Sequence, residues 1–213
     1  MGKIPQGIFG GISGKIGGLV GSSWKGIAYL RQMAMSVHQP DSPAQLKQRT
    51  KFTNVVDVAV QLLAVIIKPL WDRFAVKMSG YNNFVHYNID LFEDVFPDPP
   101  EGFEISHGSM GATQFDTVTA VDNEAGIECA WIDDSGSGYK LATDLAFFVA
   151  YNLTQGIWAF GEASDGRSVP EATITFPAKC VLNDELYCYL AFKRADGTIV
   201  SMTAYKNVIV AAA

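Results

Sequence analysis

Residues 55–67, VVDVAVQLLAVII, constrain the fold more than any other part of the chain. They follow a strong helix-start signal. Ser42 stands as an N-cap, Pro43 suits the first helical position, Gln45 completes an S-x-x-Q capping box, and Asp41 sits at the positive helix end. The sequence predicts a helix from residue 42 to about Ile67, ended by Pro69. Its first half is polar, with Gln45, Lys47, Gln48, Arg49 and Lys51. Its second half is apolar almost all round, and such a helix must be covered on every side. Other helices or neighbouring subunits are the expected cover, so Phe52, Val56, Leu63 and Ile66 are candidate oligomer-core residues. The apolar run contains Asp57 and Gln61 and is shorter than the roughly 20 residues a membrane span needs, so no span is expected.

A glycine-rich arm, residues 1–36, precedes the helix; nine of the 20 glycines lie in residues 1–26. Gly7, Gly11, Gly14, Gly18 and Gly21 follow a heptad spacing. A glycine-faced helix would nevertheless cost about 1 kcal/mol per glycine relative to alanine. An extended or turn-rich arm is expected instead, ending in a hairpin of residues 18–23 and 25–31. Beyond the first helix, the sequence predicts a short helical piece over 70–77 and a further helix from Ser79 through Val95. Pro97-Asp-Pro-Pro100 stops it and marks a domain boundary.

After Pro100 short apolar or alternating runs recur at 103–106, 117–121, 127–132, 145–151, 156–160, 172–176, 186–192 and 199–205. Arg194-Ala-Asp-Gly197 is a turn signal between the last two. The fold class is therefore α+β: an arm (1–36), a helical segment (37–97) and a C-terminal antiparallel β-sandwich (101–213). The sandwich is expected to be immunoglobulin-like in architecture only, because no second cysteine is placed for a disulfide beside Cys129 and Trp131.

The net charge of −6 hides an asymmetry. Residues 1–51 hold seven basic side chains and one acidic, and the remainder holds nine basic and 21 acidic. A positive arm suits a negative body, its own or a neighbour's. The three cysteines, Cys129, Cys180 and Cys188, match neither a disulfide framework nor zinc spacing and read as buried thiols. No secretory signal is recognised, since glycines and Lys15 break the apolar run after Lys3. Synthesis in the cytoplasm is expected, with a virion or extracellular assembly as a destination.

Chemical motifs fail in detail. Gly10-Gly-Ile-Ser-Gly-Lys-Ile16 looks like a P-loop, but the first required glycine is Phe9 and Ile16 replaces the Ser or Thr. His38, His86 and His107 lack paired metal spacing, and Asp133-Asp134-Ser-Gly-Ser-Gly138 lacks alternating calcium ligands. There is no Gly-x-Ser-x-Gly elbow. No catalytic, metal or cofactor site is expected, nor nucleic-acid binding, because the arm's basic residues are sparse and sit in no known motif. Trp131 and Trp158 are candidates for an aromatic ligand platform, against the commoner role of sandwich aromatics.

The arm carries a resemblance. Gly2-Lys3-Ile4, Gln6-Gly7-Ile8, Gly10-Gly11, Ser13-Gly14-Lys15 and Gly21-Ser-Ser-Trp24-Lys25-Gly26-Ile27 resemble the start of a family from Bacteroidota and their mobile elements, domain of unknown function 6266. Arg31, Pro40, Gln45, Gln48-Arg49 and Phe52 follow the family's pattern. Tyr81-Asn82, Tyr87-Asn88, Trp131 and Asp133-Asp134-Ser135 also resemble it. His38-Gln39-Pro40-Asp41 departs from the Asn-Pro-basic link of the family. The resemblance implies no activity and no catalytic residues. The Pro-Ala-Gln…Gln-Arg…Phe helix opening is also similar to bacteriophage structural proteins.

The expected function is a non-enzymatic structural protein that self-assembles into an oligomer or a larger particle, of phage, prophage-derived or surface-filament type. Its arm would contact neighbouring subunits through Ile4, Ile8, Phe9, Ile12, Lys15, Trp24, Lys25 and Tyr29. Partners are other copies of the chain and other structural proteins. The alternative is a binding module whose sandwich recognises a glycan or a protein.

Overall fold

The computed structural model describes Lys3 and residues 11–24, 26–34 and 42–212. The chain divides into two units, Met1–Ser42 and Pro43–Ala213.

In the first unit, β1 (Gly14–Ile16), β2 (Leu19–Trp24) and β3 (Ile27–Gln32) form an antiparallel sheet in that order. Ile16 pairs with Leu19 and Trp24 with Ile27, so both connections have two residues. Gly17 and Gly26 take φ of +56° and +83°, as tight hairpin turns of this length require. The expected hairpin is thus present, with β1 added on its outer side. Gly21 has a separate reason: a Cβ there would lie 2.2 Å from the Ile12 carbonyl oxygen, so the strand accepts backbone where a side chain would stand.

The second unit opens with α1 (Pro43–Leu62), beginning where the capping signature puts it. A π-helical turn, Leu63–Ile67, and α2 (Lys68–Trp71) continue it. Pro69 therefore does not end the helix. In the widened turn the Lys68 N–H donates to Leu63 O, five residues back, and the register change leaves Pro69 in the first turn of α2. There its missing N–H costs nothing. The helix Pro43–Trp71 is long and apolar enough to cross a membrane by length and composition, and 39% of its most apolar window is buried inside the chain. The polar first half is tied to the loop beyond the helices through Lys47 and Lys51, which bind Glu93 at 2.9 and 3.0 Å.

The next helix, α3 (Gly80–Asn88), is capped by Ser79, whose Oγ accepts from the Asn82 N–H. It ends in a 3-10 turn, Ile89–Leu91, rather than running to Val95. Tertiary contacts win over propensity here: Phe92 is buried, and Phe96 stacks flat on Tyr151 at 4.3 Å and 9°.

Seven strands follow: β4 (Phe115–Ala120), β5 (Gly126–Trp131), β6 (Leu145–Asn152), β7 (Ile157–Gly166), β8 (Glu171–Thr175), β9 (Glu185–Lys193) and β10 (Ala204–Ile209). They form two antiparallel sheets, β10-β9-β6-β7 and β4-β5-β8. The chain crosses between the sheets at β5–β6, β7–β8 and β8–β9. Residues 103–106 pair in neither sheet, and the last predicted strand moves to β10. The turn at Arg194 forms as expected, with Gly197 N donating to Arg194 O at 2.8 Å and a φ of +71°.

Strand alternation divides the four-stranded sheet into two apolar faces. Ala146, Phe148, Ala150, Cys188, Leu190 and Phe192 meet Val118, Ile127, Cys129, Trp131 and Ile174 of the three-stranded sheet. On the other face, Phe147, Val149, Tyr151, Trp158, Tyr189 and Ala191 meet Val55, Leu62, Ile66, Trp71, Phe84 and Phe103. The result is three layers: helices, four-stranded sheet, three-stranded sheet. The boundary expected at 97–100 is therefore not one, because the helices roof the sandwich and share its core. The sandwich is the helix's cover, so the expectation that other subunits cover it is corrected for Leu62, Ile66 and Ile67, each 0% exposed.

One buried charge fastens the edge of the sandwich. Arg167 is fully buried; Nη1 donates to Asp134 Oδ1 at 2.6 Å and Nη2 to Asp144 Oδ2 at 3.2 Å. Its guanidinium lies 3.8 Å above the Phe192 ring, and its carbonyl accepts from Trp131 Nε1 at 3.0 Å. Lys140 closes the cluster on Asp134.

Candidate interaction surface

The N-terminal sheet has no core of its own. Among its described residues Gly21 alone is buried, and all six residues of β3 are exposed. Pairing register sorts the side chains. One face aligns Lys15, Val20 and Arg31 across the three strands, followed by Ser22 and Tyr29. The other aligns Ile16, Leu19 and Gln32, followed by Gly21 and Leu30. Ile16, Leu19 and Leu30 are 42%, 45% and 51% exposed, and Ile27 on the basic face is 66% exposed. Among the described residues, β3 pairs along one edge only, with β2. An isolated sheet of this kind is marginal in water without something packed on its apolar face.

The predicted arm residues are placed as follows. Ile12 is half-buried, Lys15 and Tyr29 are exposed, and Trp24 ends β2. Ile4, Ile8, Phe9 and Lys25, like the link His38–Asp41, lie outside the described residues. Of the predicted oligomer-core residues, Phe52 is 53% exposed, Val56 and Leu63 are half-buried, and Ile66 is in the chain's own core. Trp131 and Trp158 do not make a platform. Both are buried, on opposite faces of the four-stranded sheet, at 2% and 9% exposure. Cys129, Cys180 and Cys188 are all buried free thiols.

A second surface was missed by sequence reasoning. It lies on the helix-facing side of the sheet at its edge strand, β10, where side chains are only partly covered. Tyr187 and Tyr205 are half-buried with ring centroids 6.0 Å apart, and Phe96 stacks on Tyr187 at 5.0 Å and 16°. The Tyr187 hydroxyl and the Asn207 amide both donate to Glu185 Oε1 at 2.9 Å. Exposed Asp98 and Glu101 add negative charge to the same region. Burial first, then the Glu185 hydrogen bond and the surrounding carboxylates, pushes the Tyr187 phenol up to about 12. Burial, then the neighbouring Tyr187 and the Glu101 and Glu185 carboxylates, pushes Tyr205 up to about 12 as well. The folded state thus disfavours both phenolates, so the stability these two tyrosines contribute is fully present below the ordinary tyrosine pKa of about 10 and is lost as pH rises through about 12. An ultraviolet absorbance titration should show these two tyrosines ionising near pH 12; ionisation of every tyrosine near 10 in the folded protein would refute this.

The sequence matches a family described as a family of unknown function, DUF6266, over residues 11–207. The chain belongs to the DUF6266 family. No curated protein matches it. ChiW, a bacterial cell-surface-expressed multi-modular chitinase from Paenibacillus sp. strain FPU-7, is a solved structure similar over 49% of this chain at 13% identity and a TM-score of 0.31. The chain spans 9% of that protein.

In this DUF6266 chain several of the residues that carry the resemblance beyond the arm hold the fold together. Asn88, fully buried, donates to the Phe84 and Glu104 carbonyls and accepts from the Glu104 N–H, stitching α3 to the strandless stretch before β4. Asp133 Oδ1 accepts from the Ser135 N–H at 3.0 Å, and Asp134 holds Arg167. Trp131 fills the core between the sheets.

Proposed function

We propose that this DUF6266 protein is a non-enzymatic structural subunit that self-assembles, with its N-terminal sheet seated on a second copy. One observation carries the reading: an entire strand, β3, is exposed, with Ile27, Tyr29 and Leu30 in water. Among the described residues neither face of the three strands is packed, and such a sheet is marginal in water, so a covering partner is the reading that explains it. A second copy fits that role by charge. Residues 1–42 hold four basic side chains and one acidic, whereas residues 43–213 hold 12 basic and 21 acidic. The edge of β3 that pairs with no strand among the described residues offers backbone pairing in addition. The assembled object, whether a closed oligomer, a virion component or a surface filament, follows from the symmetry of that contact.

The test uses Leu30→Glu in the full chain. Leu30 is 51% exposed and lies outside the Pro43–Ala213 unit, so that unit should stay folded by circular dichroism while the mass by light scattering drops to the monomer. A variant that retains the assembled mass would refute the role of this sheet.

A further inference from the structure

We infer that the tyrosine–carboxylate surface around Tyr187 and Tyr205 is the receptor for the basic face of a neighbouring copy's N-terminal sheet, taking Lys15 and Arg31. The inference rests on the assembly reading and names its second surface.

The two surfaces match in chemistry. On the sheet, Lys15 and Arg31 flank Val20 in one cross-strand row, with Tyr29 beside them. Two strand spacings put their Cα atoms about 10 Å apart. Both are exposed. On the body, two tilted tyrosine rings form the floor and Glu185, Glu101 and Asp98 stand around it. Aromatic faces and carboxylates both attract guanidinium and ammonium groups, and the aliphatic stems of lysine and arginine cover ring surface. Exposed Asn207 and Ile209, 63% exposed, extend the floor along β10 on the same face as Tyr205. The patch lies on the edge strand β10 and is only partly covered, with Tyr187 and Tyr205 half-buried, so a partner has aromatic surface to cover. A free saccharide would also use tyrosines; the segregation of positive charge onto the first unit favours the chain's own arm.

The experiment is a charge exchange in the full-length protein, read by light scattering and analytical ultracentrifugation. Glu101→Lys alone and the pair Lys15→Glu with Arg31→Glu should each weaken self-association about tenfold or more, and combining all three should restore it in part. Tyr205→Ala should weaken it without rescue by charge. In the wild type, association should fall as salt rises from about 50 mM to about 500 mM. An assembly indifferent to Glu101→Lys, Tyr205→Ala and salt overturns this receptor while leaving self-assembly standing. A wild-type monomer overturns both. If a triple variant misfolds by circular dichroism, the single Glu101→Lys substitution and the salt series still decide.

Discussion

Arg167→Leu is expected to destabilise the protein by about 3–5 kcal/mol, because it leaves the buried Asp144 without its cation and takes from Asp134 one of its two. Asp144 is fully buried, and besides Arg167 its Oδ2 accepts from the Leu141 N–H. Asp134 is tied to Lys140 and Arg167. For a chain of this size the loss corresponds to a melting temperature lower by about 10 °C. Arg167→Lys should fall between, since one ammonium cannot span both carboxylates as the guanidinium fork does. Adding Asp144→Asn to Arg167→Leu should return part of the stability, and no return would place the cost in packing over Phe192. The cluster also sets an acid limit. Burial pushes the Asp134 carboxyl up, but the Lys140 hydrogen bond and the Arg167 charge outweigh it and hold the carboxyl below its usual value. Its contribution is present above the ordinary carboxylate range and is lost as pH falls through the depressed value. Thermal melts from pH 7 to pH 3 should therefore fall less steeply in Arg167→Leu than in the wild type.

Trp71→Ala is expected to have a comparable effect, about 3–5 kcal/mol from the cavity alone. Trp71 is 1% exposed, meets Phe84 edge-on at 5.7 Å, and donates from Nε1 to Ile105 O at 2.8 Å. Removing it also orphans a buried carbonyl, at a further cost of about 1–3 kcal/mol. Trp71→Phe separates the two parts: it keeps most of the volume and loses the hydrogen bond. Equal melting temperatures for wild type and Trp71→Phe would show that the bond contributes nothing. Because Trp71 lies where α2 meets the segment before β4, its loss should loosen the helical layer as a whole.

Local chemistry was legible in the sequence. Ser42-Pro43-Ala-Gln45 marks the start of α1, Ser79 starts α3, and Arg194–Gly197 turns after β9, because each signal acts within a few residues; the hairpin is legible too, but its turn falls at 25–26, inside the strand predicted over 25–31. What needed long-range partners was not. The apolar helix reads as an oligomer core until the sheet that covers it is known. Pro69 reads as a stop until the π-helical turn shifts the register. Alternation puts Trp131 and Trp158 on strand faces, but not on opposite sides of one sheet. Arg167, in Asp165-Gly166-Arg167-Ser168, reads as a surface turn although it is fully buried. The proximity of Tyr187 and Tyr205 depends on the β9–β10 register, which has no local signature.

The central claim is self-assembly through the N-terminal sheet, and the mass of the purified full-length chain in solution tests it most directly. Light scattering across a concentration series should give a multiple of 23.1 kDa that collapses to one chain in Leu30→Glu. A wild-type mass of one chain at every concentration would contradict it.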